Sequence, residues 1–178
     1  MTYWSPWRAK LTELPFGLPG RVFASPMPFG YYDSQGLLYE QARSQEVSVV
    51  VILNDRLECL QKAGRDLEQF YVDEGLQVVA LPIRNYDAVS AEAMSRAVGM
   101  AVEHAEAGRH LLVHCSLGIG RTGMFGACMA HQALGLDGDA SLRWIRTHIS
   151  GAVETGVQEQ LIRRFAGNGK SDAPRSIG

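Results

Sequence analysis

The residues with the clearest chemical potential lie together in the stretch His114-Cys115-Ser116-Leu117-Gly118-Ile119-Gly120-Arg121-Thr122-Gly123. A thiol, two loop glycines, an arginine and a hydroxyl in this order can bind an oxyanion and attack it. Backbone N–H groups of a curled loop, joined by those at the start of a helix, form a cradle for a tetrahedral anion. Gly118 and Gly120 permit the curl. Arg121 offers a planar fork that matches two oxygens of a phosphoryl group. Cys115 would lie at the bottom of the cradle, where the same N–H groups and the helix field favour thiolate over thiol. His114 can hold the loop through its imidazole and favour the thiolate. Thr122, in the first turn of the helix, can donate to the sulfur when it leaves. The phosphate contacts then fall to Ser116, Leu117, Gly118, Ile119, Gly120 and Arg121.

Such a loop needs a strand before it and a helix after it, and the sequence offers both. His110 to His114 (HLLVH) reads as a buried strand, and Arg121 to Leu134 as a helix that is apolar nearly all round. Val47 to Leu53 (VSVVVIL) is a β-branched run suited to a central strand covered on both faces. Leu76 to Leu81 and Gly20 to Ser25 read as further strands. Residues 57–74 carry apolar positions three or four apart, with Gly64 a point where the helix can break. Ser90 is a good N-cap for a long helix over Ala91 to Ala107, which Gly108 ends. Helices at 138–148 and 156–166 follow. Alternating strands and helices predict one three-layer α/β/α domain around a mostly parallel sheet. The expected organisation is an irregular segment over residues 1–20, a domain over 21–166 and a flexible tail over 167–178.

Composition limits the partners. The chain has 178 residues, 46% of them apolar, with a formal charge of -2. No basic excess points to nucleic acid. No run of eighteen apolar residues suggests a membrane span. The first twenty residues hold charges and prolines rather than an apolar core, which predicts no signal peptide and a cytoplasmic setting. Three cysteines, an odd number without metal-pair spacing, fit a reducing compartment. Cys59 and Cys128 read as small core residues. His104, His110, His131 and His148 show no ligand spacing, so no metal is expected.

The loop resembles the signature of the cysteine-dependent protein tyrosine phosphatase superfamily, His-Cys-five residues-Arg-Ser/Thr. The chain's brevity looks like the compact dual-specificity branch. Ser25-Pro26-Met27-Pro28 and Gly151-Ala152-Val153-Glu154-Thr155 look like segments of compact bacterial and archaeal members. The resemblance implies a phosphotyrosine protein phosphatase-like fold and hydrolysis of phosphomonoesters through a phosphocysteine, without cofactor. Its substrates would be phosphorylated proteins, at tyrosine and also serine or threonine, or small phosphomonoesters.

It also implies an acid on the loop after the strand that precedes the long helix. Asp87 is the carboxylate of that loop. Compact relatives often place it three positions beyond the proline, where this chain has Asn85. Asp55, after the first long strand, is the reserve acid, or else a helix cap. Gln158 resembles the glutamine with which some relatives order the hydrolytic water, or is an exposed helical residue. Arg84 extends the positive pocket or is a surface arginine. The variable loop positions carry no lysine, which disfavours highly charged phosphoinositides. A phosphate-binding module that has lost its acid, and a sulfur-transfer domain, are the competing readings. The loop's end, Gly-Arg-Thr rather than Gly-Lys-Ser/Thr, argues against a nucleotide-binding loop.

Overall fold

The computed structural model describes residues 9–165. The tail expected from residue 167, and the first part of the expected N-terminal segment, lie outside the described residues. Five strands make one sheet: β1 (Thr12–Leu14), β2 (Val22–Ser25), β3 (Val47–Ile52), β4 (Gln77–Ala80) and β5 (His110–His114). Their order is β1-β2-β5-β3-β4, with β1 antiparallel and the other pairs parallel.

Two-residue periodicity sorts the strand side chains between two cores. Val22, Ala24, Val49, Val51, Leu111 and Val113 face one core; Phe23, Val50, Ile52 and Leu112 face the other. The first core is covered by α4 (Ala91–Glu106), α5 (Gly120–Leu134), α6 (Gly138–His148) and α7 (Gly156–Arg164). The second is covered by α1 (Leu37–Ser44), α2 (Arg56–Ala63) and α3 (Leu67–Asp73). This is the three-layer α/β/α arrangement expected.

Helix starts follow local chemistry. Asp55, Asp66, Ser90, Asp137 and Thr155 each accept a backbone N–H in the first turn of α2, α3, α4, α6 and α7. Gly64 ends α2 in a left-handed conformation, so the helical stretch predicted over 57–74 is two helices. Two elements differ from expectation. Residues 12–14, within the segment read as irregular, form β1, and residues 37–44 form α1. Asp33 stands in for the missing cap of α1: its carboxylate accepts from Leu37 and Leu38 N–H at 2.8 and 3.0 Å, and from Phe29 N–H at 3.4 Å. This fixes the loop that carries Tyr31 and Tyr32.

The register sets where chemistry can occur. Ser25 and Ile52 both pair with His114, so β2, β3 and β5 end at one level. The segments that leave their carboxyl ends therefore converge, as in other open parallel sheets.

Candidate active site

The stretch from Cys115 to Ile119 bends between β5 and α5, and its geometry is set by its neighbours. Ser116 C=O accepts from Met27 N–H at 3.1 Å; Ile119 C=O accepts from Gly123 and Val153 N–H at 2.9 and 3.3 Å. With these carbonyls engaged outside, Gly118 N–H turns inward and donates to Cys115 Sγ at 3.2 Å. Gly118 has φ +80°, and a Cβ there would stand 2.7 Å from the backbone of Ser25 and Pro26. The position thus requires glycine on two counts.

Cys115 is 2% exposed and Arg121 is 1% exposed. Arg121 Nη1 donates to Glu58 Oε2 at 2.7 Å, and Nη2 to Glu58 Oε1 at 2.9 Å. Nη1 also donates to Ile83 C=O at 2.9 Å. One edge of the guanidinium is thereby clamped. Its buried Nε has no hydrogen-bond partner among the described residues. Burial opposes the charge of Arg121, but its bonds to Glu58 and attraction to Cys115 outweigh burial and raise its pKa.

Glu58 is a site residue that the sequence reading did not single out. Its Oε1 also accepts from the Ser116 hydroxyl and from Lys62 Nζ, the latter at 2.7 Å. Lys62 Nζ reaches Ser116 Oγ as well, at 2.9 Å, and Asn54 Nδ2 donates to Ser116 Oγ at 3.2 Å. Burial works against the Glu58 charge, yet the bonds from Arg121, Lys62, Ser116 and Asn54 hold its carboxyl well below the usual carboxylate range. A depressed carboxyl pKa contributes stability above the unfolded value of about 4.3, lost as pH falls from there toward the folded value. Glu58→Gln is therefore expected to destabilise the protein by about 3 kcal/mol at pH 7. Wild type should lose more stability than the variant between pH 6 and pH 3. Urea unfolding of both proteins at those pH values checks this, and parallel pH slopes would refute it.

His114 is fully buried, and burial, more than any other influence, pushes its pKa down to about 3. The imidazole is therefore neutral in the physiological range. The loop-holding role expected of His114 has a visible anchor: His114 Nε2 and Tyr71 Oη share a hydrogen bond of 3.0 Å. Thr122 is fully buried, and its hydroxyl has no hydrogen-bond partner among the described residues. Cys59 and Cys128 are buried core thiols, as expected; burial pushes Cys59 up to about 12 and Cys128 higher still.

A cavity of about 310 Å³ opens at this level. Met27, Tyr31 and Tyr32 from the segment after β2 line it, with Ser116 and Leu117 from the loop. Lys62 of α2, Asn85 and Tyr86 after β4, and Glu154 before α7 complete the lining. The cavity therefore has a lysine, supplied by a helix distant in sequence from the loop.

The expected acids fall in different places. Asp55 caps α2 by accepting from Glu58 N–H at 2.8 Å, which is the cap reading. Asp87 is exposed, and its Oδ1 accepts from Ala88 N–H at 2.8 Å. Arg84 is exposed and accepts from Asp87 N–H through its carbonyl at 3.1 Å. Among the described residues, Glu154 is the carboxylate that lines the cavity. A Cβ placed on Gly120 would collide with its Oε2, so Glu154 lies against the end of the loop. Gln158, 0% exposed, accepts from Glu154 N–H at 2.9 Å and donates to Asp87 C=O at 3.3 Å. The alternative of an exposed helical glutamine is thus corrected. Burial follows from the two backbone partners that satisfy its amide.

A cysteine at a parallel strand's end, an arginine opening the next helix and a cradle between them define a cysteine-dependent phosphatase. Residues 40–163 match the family described as Swiss Army Knife protein, DSP-PTPase phosphatase domain (PTP-SAK), and the chain belongs to it. The active form of Tk-PTP is 29% identical, with a TM-score of 0.70 over 82% of this chain and 91% of that one. Kinase associated phosphatase (KAP) with its catalytic cysteine replaced by serine is 15% identical, with a TM-score of 0.78 over 90% and 96%. TpbA of P. aeruginosa is 20% identical, with a TM-score of 0.59 over 89% and 91%. The protein is an enzyme of the protein tyrosine and dual-specificity phosphatase kind. None of its described helices is long and apolar enough to cross a membrane.

Proposed function

We propose that the enzyme hydrolyses phosphotyrosine, and phosphoserine or phosphothreonine where they reach the loop, through a phosphocysteine intermediate. The observation that carries this reading is the pairing of Cys115 with an Arg121 whose Nη edge is clamped by Glu58 and whose Nε is unpartnered. Arg121 and the loop N–H groups hold the phosphoryl oxygens and supply the positive field. Cys115 Sγ attacks phosphorus; the S–P bond forms as the ester P–O bond breaks. A carboxylic acid gives its proton to the leaving oxygen. Water then attacks phosphorus, the same carboxylate takes the water's proton, and the S–P bond breaks. Thr122 and Gly118 N–H stabilise the departing thiolate, and Gln158 holds the walls around the water. The reaction requires a reduced Cys115, which suits a cytoplasmic setting.

Two carboxylates can serve as the acid. Asp87 has the position that the family resemblance implies. Glu154 lines the cavity at the Gly120 end of the loop, and that placement favours it. Hydrolysis of p-nitrophenyl phosphate and of an alkyl phosphate in EDTA tests both the reaction and the acid. Wild type should turn over both esters. Loss of the true acid should lower alkyl phosphate turnover by about 10²- to 10⁴-fold and remove the basic limb of the pH–rate profile. Aryl phosphate, whose leaving group needs less help, should lose less. Glu154→Gln is expected to produce this pattern. If Asp87→Asn produces it instead, the acid is Asp87.

A further inference from the structure

Lys62 occupies a position that the reaction itself does not use. Its ammonium lines the cavity at the Ser116 end of the loop, while Glu154 lies at the Gly120 end. Two of its three donors are engaged, by Glu58 Oε1 and Ser116 Oγ. Glu58 Oε1 is crowded: it already accepts from Arg121 Nη2 and the Ser116 hydroxyl. A carboxylate oxygen has two lone pairs, so Lys62 is the third donor on it. It is also the outermost, with its side chain 40% exposed against 1% for Arg121. One carboxylate facing two cations leaves a positive charge unbalanced, and the flexible lysine is the one that can move toward a ligand.

The rest of the lining indicates which ligand. Tyr31 and Tyr32 form an edge-to-face pair with centroids 5.1 Å apart, and Tyr86 joins them at the rim. Rings of this kind suit an aryl ester and its flanking chain. Lys62 is the only cation of the lining among the described residues, so it can match one additional acidic group. A headgroup with several phosphates would set the others against Glu154 and the tyrosines.

We propose that Lys62 is a specificity-determining residue that selects phosphotyrosine segments carrying an acidic residue beside the phosphotyrosine. This rests on the phosphatase reading above. The test uses two phosphotyrosine peptides that differ only in Glu or Gln next to the phosphotyrosine, so the leaving group is the same. Wild type is expected to favour the Glu peptide in kcat/KM by about three- to fivefold at low salt, the range of a part-exposed ion pair. The preference should shrink at high salt. It should vanish in Lys62→Met and persist in Lys62→Arg. A purely structural role would lower kcat/KM for both peptides equally. A ratio unchanged in Lys62→Met, or no preference in wild type, overturns the proposal. Faster turnover of phosphatidylinositol phosphate in phosphatidylcholine vesicles than of either peptide also overturns it. Should Lys62→Met fail to fold, the salt dependence of wild type and the Lys62→Arg ratio still decide. If p-nitrophenyl phosphate is hydrolysed while the peptide ratio stays flat, only the Lys62 assignment fails. If wild type hydrolyses nothing, the phosphatase reading fails with it.

Discussion

Cys115→Ser is expected to retain phosphate-ester binding and to lose turnover by about 10⁵-fold or more, the scale seen when a covalent enzyme loses its nucleophile. The substitution changes one atom. Serine oxygen can still accept the Gly118 N–H that Sγ accepts at 3.2 Å, and nothing else in the loop need move. Arg121, held by Glu58 and Ile83 C=O, keeps its place. The cradle therefore persists while the attacker is lost, because an alcohol ionises far less readily than a thiol. Steady-state hydrolysis of p-nitrophenyl phosphate, beside calorimetric binding of a phosphotyrosine peptide, separates the two properties. Turnover near that of wild type would end the covalent mechanism. Loss of binding together with turnover would mean that the sulfur also holds the loop in shape.

Arg121→Lys is expected to lose both binding and turnover, with kcat/KM down by at least about 10³-fold. The arginine makes two parallel bonds to Glu58 and one to Ile83 C=O, and still offers Nε. An ammonium is a point charge on a flexible stem and cannot hold a carboxylate in a fork while presenting a directed donor to phosphate. It would either pair with Glu58 or turn to the phosphoryl group. Kinetics on aryl phosphate, with peptide binding as a second readout, distinguish this from a mere loss of charge. A variant within tenfold of wild type would remove the guanidinium fork from the mechanism.

The sequence was most legible where a residue's role depends on its immediate neighbours. The loop could be read because strand, cysteine, glycines and arginine are contiguous. Ser90, which accepts from Ala93 N–H, and the break at Gly64 were visible for the same reason. β1 was missed because three residues on a sheet edge leave almost no periodicity. α1 was missed because Gly36 offers no capping side chain, and the cap comes from Asp33 instead. Glu58 and Lys62 were missed for a different reason. In sequence they look like an ordinary i,i+4 surface pair on a helix, and only the parallel β3–β5 pairing brings α2 to the loop. The same holds for Glu154, which the sequence placed merely in a segment that looked familiar.

Thr155 Oγ1 donates to Tyr86 C=O at 3.0 Å, and Gln158 Nε2 donates to Asp87 C=O at 3.3 Å. These two bonds latch the start of α7 to the segment after β4. Tyr86, held at φ 64°, belongs to that segment, and Glu154 immediately precedes the latch. The Tyr86 side of the cavity and the two candidate acids, Asp87 and Glu154, are therefore one mechanical piece. In the proposed reaction, a bulky group that pushes Tyr86 aside would also shift the proton source. Such a substrate would then be rejected at the chemical step, after entering the cavity.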